Sequence, residues 1–335
     1  MTPFTEIFED KTKYGTKLET DKYLDEGSYQ IIDQGKDEIA GYTNEREGLF
    51  DDVPAIVFGD HTRIIKYVTE PFFLGADGVK VLKPKDTNNN CKYLYYALKN
   101  VKIPNTGYNR HFKWLKEASF ELHSKNKQDE IVEILDRISK IIYLKNKELS
   151  NLDNLIKARF VEMFGQGEYP QSTISQLVSG KVSTAKKDFD TEDTIKYIDI
   201  SSIDNKRNIM TGYTEYILRE APSRAQQHIR KNDIVISTVR PNLRNVAVTS
   251  YEDDNLVASS GFCILRPNKC TPEYLMAIVT SEKFTDDMVK VVTGANYPAI
   301  KDSDVMNYPV AVAPIDEQIQ FADFTKQVDK SKFIN

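Results

Sequence analysis

A chain of 335 residues, 40% hydrophobic and 28% charged with a net charge of −5, has the composition of a soluble globular protein and room for about two domains. No apolar run approaches the ~18–20 residues of a membrane span. Three cysteines (Cys91, Cys263, Cys270) lack paired or metal-ligand spacing, which points to a reduced, cytoplasmic protein; the start, Met1-Thr2-Pro3-Phe4-Thr5-Glu6, has neither part of a secretory signal.

In chain order, residues 1–122 mix short strand-like runs (Ala55-Ile56-Val57-Phe58; Val79-Lys80-Val81-Leu82) with a helical segment, Lys92–Leu98. Residues 123–165 carry a long helix: from Asn126 to Phe164 there is no Pro or Gly, and Gly165 follows as a stop. Ile131, Leu135, Ile138, Ile142, Lys145, Leu149, Leu152, Ile156, Arg159 and Met163 recur at alternating steps of four and three. That spacing is the seam of a coiled coil, on a rod of roughly 58 Å at ~1.5 Å per residue. The other reading is one amphipathic helix lying on a globular core. Lys145 and Arg159 either bury their stems and snorkel or register the helix against a partner. Residues 166–314 repeat the first order: Asp233-Ile234-Val235-Ile236, Phe262-Cys263-Ile264-Leu265, then Glu273–Val279. A second helix begins at Ile315 and, to Asn335, spans about half the length of the first. The repeat leads one to expect equal lengths, so this helix reads as short or truncated.

The two halves match in wording as well as order. Gly41-Tyr42-Thr43-Asn44 recurs as Gly212-Tyr213-Thr214-Glu215, and Gly78–Pro84 as Gly261–Pro267. Thr106-Gly107-Tyr108-Asn109 recurs as Thr293-Gly294-Ala295-Asn296, and Gln128 as Gln318. The offset grows from 171 to 183, 187 and 190, as loop insertions in a duplicated domain produce. A solenoid is excluded, since its units are ~20–50 residues. The expected fold is α+β: two tandem domains of mixed α/β structure separated by long coiled-coil helices.

No Asn-Pro-Pro-Tyr or Asp-Pro-Pro-Tyr, dinucleotide fingerprint, zinc-protease motif or nucleophile elbow occurs, and Ser179-Gly180-Lys181-Val182 fails as a phosphate loop. His61, His111, His123 and His228 are scattered, so no metal is expected. What remains is a set of loops rich in Arg, Asn, Lys, Tyr and His. Thr106–Trp114 carries Tyr108, Asn109, Arg110 and Lys113; its copy, Thr293–Lys301, carries Asn296, Tyr297 and Lys301. Ser237–Asn245 carries Arg240, Asn242 and Arg244, opposite His61 and Arg63 in Gly59–Arg63. Arg pairs bidentately with guanine and Asn with adenine, while Arg, Lys, Thr and Tyr hold phosphates. Four such loops at equivalent places point to DNA more than to incidental surface polarity.

The arrangement resembles the specificity subunits of type I restriction–modification systems, over essentially the whole chain. Ser259–Pro267 is similar to that family's recurring strand, and Leu155–Gly165 to its usual end of the first central helix. Pro314-Ile315-Asp316-Glu317-Gln318 resembles the Pro-x-x-Glu-Gln start of the second helix. Departures are Lys127 where the first helix would have Glu, the missing Pro there, and the short second helix. The resemblance implies a chain without catalysis or cofactor. Each target-recognition domain would read half of a bipartite double-stranded DNA target, and the helices would set the gap. Two modification subunits using S-adenosylmethionine and a restriction subunit would be partners. The competing readings are a fragment of a fused restriction/methyltransferase enzyme and a coiled-coil adaptor that binds proteins only.

Overall fold

The run Ala55–Gly59 is buried at every position, so it forms a strand covered on both faces. It lies antiparallel between Ile65–Val68 and Val79–Pro84, with Phe8–Asp10 beyond the latter. A second sheet centres on Tyr29–Ile32, antiparallel to Gly41–Thr43 and parallel to Phe72–Leu74. Helix Cys91–Lys99 starts at Asn90, whose side chain accepts the N–H groups of Lys92 and Tyr93, and it buries Leu94 and Leu98 in the core of the first sheet. Phe4, Phe8, Phe58, Phe112 and Phe120 fill that core, Phe4 stacked on Phe8 at 4.8 Å. These are elements of a computed structural model. It describes residues 1–75, 78–107, 109–294 and 298–334, in two units, Met1–Lys145 and Asn146–Asn335.

The second unit repeats the topology of the first. Ile234–Ser237, again wholly buried, lies antiparallel between Val246–Val248 and Phe262–Leu265. Thr194–Ile198 is antiparallel to Thr214–Ile217 and parallel to Leu256–Ser259. Helix Pro272–Val279, capped by Thr271, stands where Cys91–Lys99 stands in the first unit. Three additions distinguish the second unit: strand Ala225–His228 beside Leu256–Ser259, a hairpin of Ile203–Asp204 with Ile209–Met210, and helix Glu282–Lys290.

The repeated Lys83-Pro84 and Arg266-Pro267 pairs serve the framework. Arg266, on the strand end, donates from Nε and Nη2 to the two carboxylate oxygens of Asp233 at 2.8 and 2.6 Å. Asp233 is almost fully enclosed and also accepts the Arg230 N–H. The bond to Asp233 holds the guanidinium pKa above its ordinary value. Lys83 plays the same part in the first unit, reaching Asp52 at 2.6 Å and the Pro54 carbonyl at 3.0 Å.

Two of the sequence matches are explained by structure and one shifts. Gln128 and Gln318 are each 1% exposed. Gln128 accepts the Asn90 N–H and donates to Asn89 and the His123 carbonyl. Gln318 accepts the Thr271 N–H and donates to the Ala313 carbonyl. In both units, then, a buried amide ties the start of a long helix to the capping residue of a shorter one. Gly107 and Gly294 both adopt left-handed φ, 77° and 91°, so a glycine is required at each turn. The Gly41 and Gly212 match, by contrast, is two residues out of ladder register. Gly41 pairs with Ile31, whereas Thr214 pairs with Tyr197, which holds the place of Ile31 beside the parallel strand.

The long helix spans Lys125–Phe164, 40 residues, and the second spans Ile315–Ile334, 20 residues. The expected seam is served piecewise, because different neighbours cover it. Ile131 packs on the first unit's core, where Asp136 also binds Lys92 at 2.7 Å and the Tyr96 hydroxyl at 2.6 Å. Ile156 and Met163 pack on the second unit's core. There Phe160 meets Phe321 at 5.5 Å, Lys332 meets Asp153 at 2.7 Å, and the Arg159 guanidinium lies 5.7 Å from the Phe324 ring. These contacts run antiparallel, so Arg159 meets the second helix of its own chain. Leu135, Leu149 and Leu152 are half-buried, while Ile138 (46%) and Ile142 (57%) stand exposed. Among the described residues the seam is thus covered around Ile131 and from Ile156 to Met163, and open at Ile138 and Ile142. No helix among the described residues is long and apolar enough to cross a membrane.

Candidate nucleic-acid interface

In the first unit two loops meet at the end of strand Ala55–Gly59. The turn after it closes through Gly59 N–H to the Ile64 carbonyl at 2.8 Å, with Arg63 in left-handed conformation (φ 64°) just before the return strand. The loop 101–111 docks on this turn. His111 N–H donates to the Asp60 carbonyl at 2.7 Å, the Asp60 carboxylate accepts Phe112 N–H at 2.7 Å, and Arg63 Nη1 donates to the Ile103 carbonyl at 3.3 Å. The His111 ring is fully buried, 3.0 Å from the Asp60 carbonyl. It belongs to the framework and is removed from the set of groups that could face DNA.

The second unit builds the same corner on a longer turn. Ser237 N–H reaches the Asn245 carbonyl at 2.9 Å, and Arg244 (φ 53°) again precedes the return strand. The insertion is accommodated by a short helical turn, Pro241–Leu243, entered through Arg240, also left-handed at φ 51°. Loop 293–301 docks through Ile300 N–H to the Thr238 carbonyl and Arg240 N–H to the Pro298 carbonyl, at 2.9 and 2.8 Å. Arg63 and Arg244 thus occupy one position of the repeat. A left-handed non-glycine residue costs of order 1 kcal/mol and concentrates at functional places.

Around these corners the side chains divide by role. Asn109, Arg110 and Lys113 are exposed in the first unit, and Arg240, Asn242 and Lys301 in the second. Asn109 folds its amide onto the Thr106 carbonyl, and the Lys113 ammonium lies 4.9 Å from the Trp114 ring. Arg244 is half-buried, as is His61, whose N–H donates to Gln34. Lys301 donates its N–H to Asp304 at 2.8 Å and leaves its ammonium outside. Tyr108, Asn296 and Tyr297 lie outside the described residues. Among the described residues, Arg110, Arg240 and Arg244 have no carboxylate within ion-pair distance, so their charge is uncompensated.

Sequence reading missed a third loop at each corner, the connection that follows the central strand of the second sheet. In the first unit Gln34 accepts His61 N–H at 3.1 Å and its carbonyl accepts the Thr62 hydroxyl at 2.7 Å. In the second, Asn205 donates to the Leu243 carbonyl at 2.7 Å and Asn208 to the Val246 carbonyl at 3.1 Å. The available signal was the polar turn Asn205-Lys206-Arg207-Asn208 between Ile203 and Ile209.

Two copies of one mixed fold, each with exposed cations and amides at an equivalent corner, make a tandem recognition protein. The chain belongs to the type I restriction modification DNA specificity domain family, whose model matches residues 3–154 and again 168–335; it is a DNA specificity subunit of a type I restriction–modification system. The specificity subunit of the Escherichia coli type I restriction enzyme EcoR124I/EcoR124II is 23% identical over 363 aligned positions, covering 98% of this chain and 86% of that one. The Haemophilus influenzae HindI specificity subunit is 22% identical over 172, covering 50% and 36%. The crystal structure of the type I S subunit from M. genitalium shares the fold over 98% of this chain and 89% of that one, with a TM-score of 0.52 at 17% identity. The HsdS subunit from Thermoanaerobacter tengcongensis covers 50% and 44%, with a TM-score of 0.44 at 26% identity.

Proposed function

We propose that each unit reads one half of a bipartite double-stranded DNA target and that the chain leaves catalysis to partners. The carrying observation is that Arg63 and Arg244 take the same left-handed place at equivalent corners while the loops around them differ. A conserved scaffold with divergent loops is what two different half-sites require. Arg63, Asn109, Arg110 and Lys113, with His61 and Tyr108, serve one half. Arg240, Asn242, Arg244 and Lys301, with Asn296 and Tyr297, serve the other. Arg63 braces the Ile103 carbonyl, so it positions its loop as well as carrying charge. The long helices set the gap between half-sites. The partners are two modification subunits, which supply S-adenosylmethionine-dependent methylation of an adenine taken out of the duplex, and a restriction subunit. The setting is cytoplasmic.

Methylome sequencing of a host expressing the chain with its modification subunit tests this directly. Arg240→Ala with Arg244→Ala is expected to relax or abolish recognition at one half-site and leave the other intact. Deleting seven residues within the exposed stretch of the long helix is expected to change the gap and neither half-site. Equal loss at both halves from the arginine pair would overturn the reading.

A further inference from the structure

The tip of the second unit's added hairpin carries two cations that no established role uses. Asp204 turns the chain by accepting the N–H groups of Lys206 and Arg207 at 3.0 and 3.2 Å. Asn208 closes the four-residue loop in left-handed conformation, φ 55°, which asparagine tolerates better than most residues. The carboxylate of Asp204 is thereby occupied with backbone, and Lys206 and Arg207 project into solvent. Neither makes an ion pair or side-chain hydrogen bond among the described residues.

Asn205 and Asn208 flank these cations and grip the main chain at Leu243 and Val246, on either side of Arg244 and Asn245. The hairpin is therefore stapled to the main chain that carries Arg244. The equivalent connection of the first unit, residues 33–40, has the opposite character: Asp33, Asp37 and Glu38 against one cation, Lys36. Long cations on an exposed tip, without an ion pair or side-chain hydrogen bond among the described residues, suit phosphate oxygens, which take charge and carry no sequence information.

We infer that Lys206 and Arg207 form a phosphate clamp of the second unit, gripping the DNA backbone next to its half-site, with no counterpart in the first unit. This rests on the DNA-reading role proposed above. The test measures binding of the complex with modification subunits to target DNA and to DNA lacking the target, across salt. Lys206→Ala with Arg207→Ala is expected to weaken both by the same factor and to lower the slope of log affinity against log salt by about two. Equivalently, the wild-type advantage shrinks about tenfold between 50 and 200 mM salt. The methylated sequence is expected to stay the same, and Lys206→Arg with Arg207→Lys to keep the wild-type slope.

An unchanged slope in the alanine variant overturns the clamp, and so does a lost slope in the charge-preserving one. A changed base preference at the second half-site assigns the tip to base reading and also overturns it. If the wild-type complex itself shows no preference for the target, the half-site reading fails with it.

Discussion

Replacing Gln318 with leucine keeps the volume of a buried side chain but removes its two hydrogen bonds, to the Thr271 N–H and the Ala313 carbonyl. Ala313 is buried, and its carbonyl loses an enclosed partner at about 2 kcal/mol; Thr271 is half-exposed, so water can replace part of its loss, at about 1 kcal/mol. The sum, about 3 kcal/mol, is a large share of a domain's 5–15 kcal/mol. Native-state hydrogen exchange is the suitable assay, because one unfolding midpoint is ill-defined in a two-unit chain. Amides of helices Pro272–Val279 and Ile315–Ile334 are expected to lose about 3 kcal/mol of protection, with the first unit's amides unchanged. The repeat supplies a control: Gln128→Leu removes three bonds and is expected to expose Cys91–Lys99 at a larger cost. A loss below about 1 kcal/mol, or one spread evenly over both units, would refute the reasoning.

Two further predictions concern buried groups. Arg266→Met leaves Asp233 enclosed with the Arg230 N–H as donor and is expected to cost about 3 kcal/mol of hydrogen-exchange protection in the second unit, the low end because the guanidinium is partly solvated. Adding Asp233→Leu is expected to restore most of that loss; a double variant no better than the single would show that the pair is not the cause. Burial pushes the Cys91 thiol up to about 11 and Cys270 up to about 12, and raises Cys263 as well. The native chain is expected to resist iodoacetamide at pH 8, where about a thousandth of the Cys91 thiol and about a ten-thousandth of Cys270 is ionised. Because these raised values favour the protonated folded state, stability is full below the unfolded thiol's range, near pH 8.5–9, and falls as pH climbs toward 11–12. Rapid labelling of the folded chain at pH 8 would contradict the burial.

The duplication was legible in sequence because it is written into framework residues. Gln128 and Gln318, Gly107 and Gly294, and the Lys83-Pro84 and Arg266-Pro267 pairs each meet a local demand that few residues satisfy: a buried amide, a positive φ, a strut to a carboxylate. The Gly41 match was less informative, since nothing at that strand position demands glycine with positive φ, and it slipped by two residues. The loops proposed to face DNA were picked out by composition. That method could not separate His111, which is buried, from Arg110, which is exposed one residue earlier.

By itself the sequence determined the α+β class, the two tandem copies, the long helix and the start of a second, and the family. These follow from periodicity, from repeated wording and from backbone positions that admit few side chains. Only tertiary structure decided which polar residues face solvent, that the helix seam is covered in pieces by different neighbours, and that a third loop joins each corner. Asn205 grips a carbonyl 38 residues away, and a contact of that range leaves no period, motif or composition in the chain that makes it.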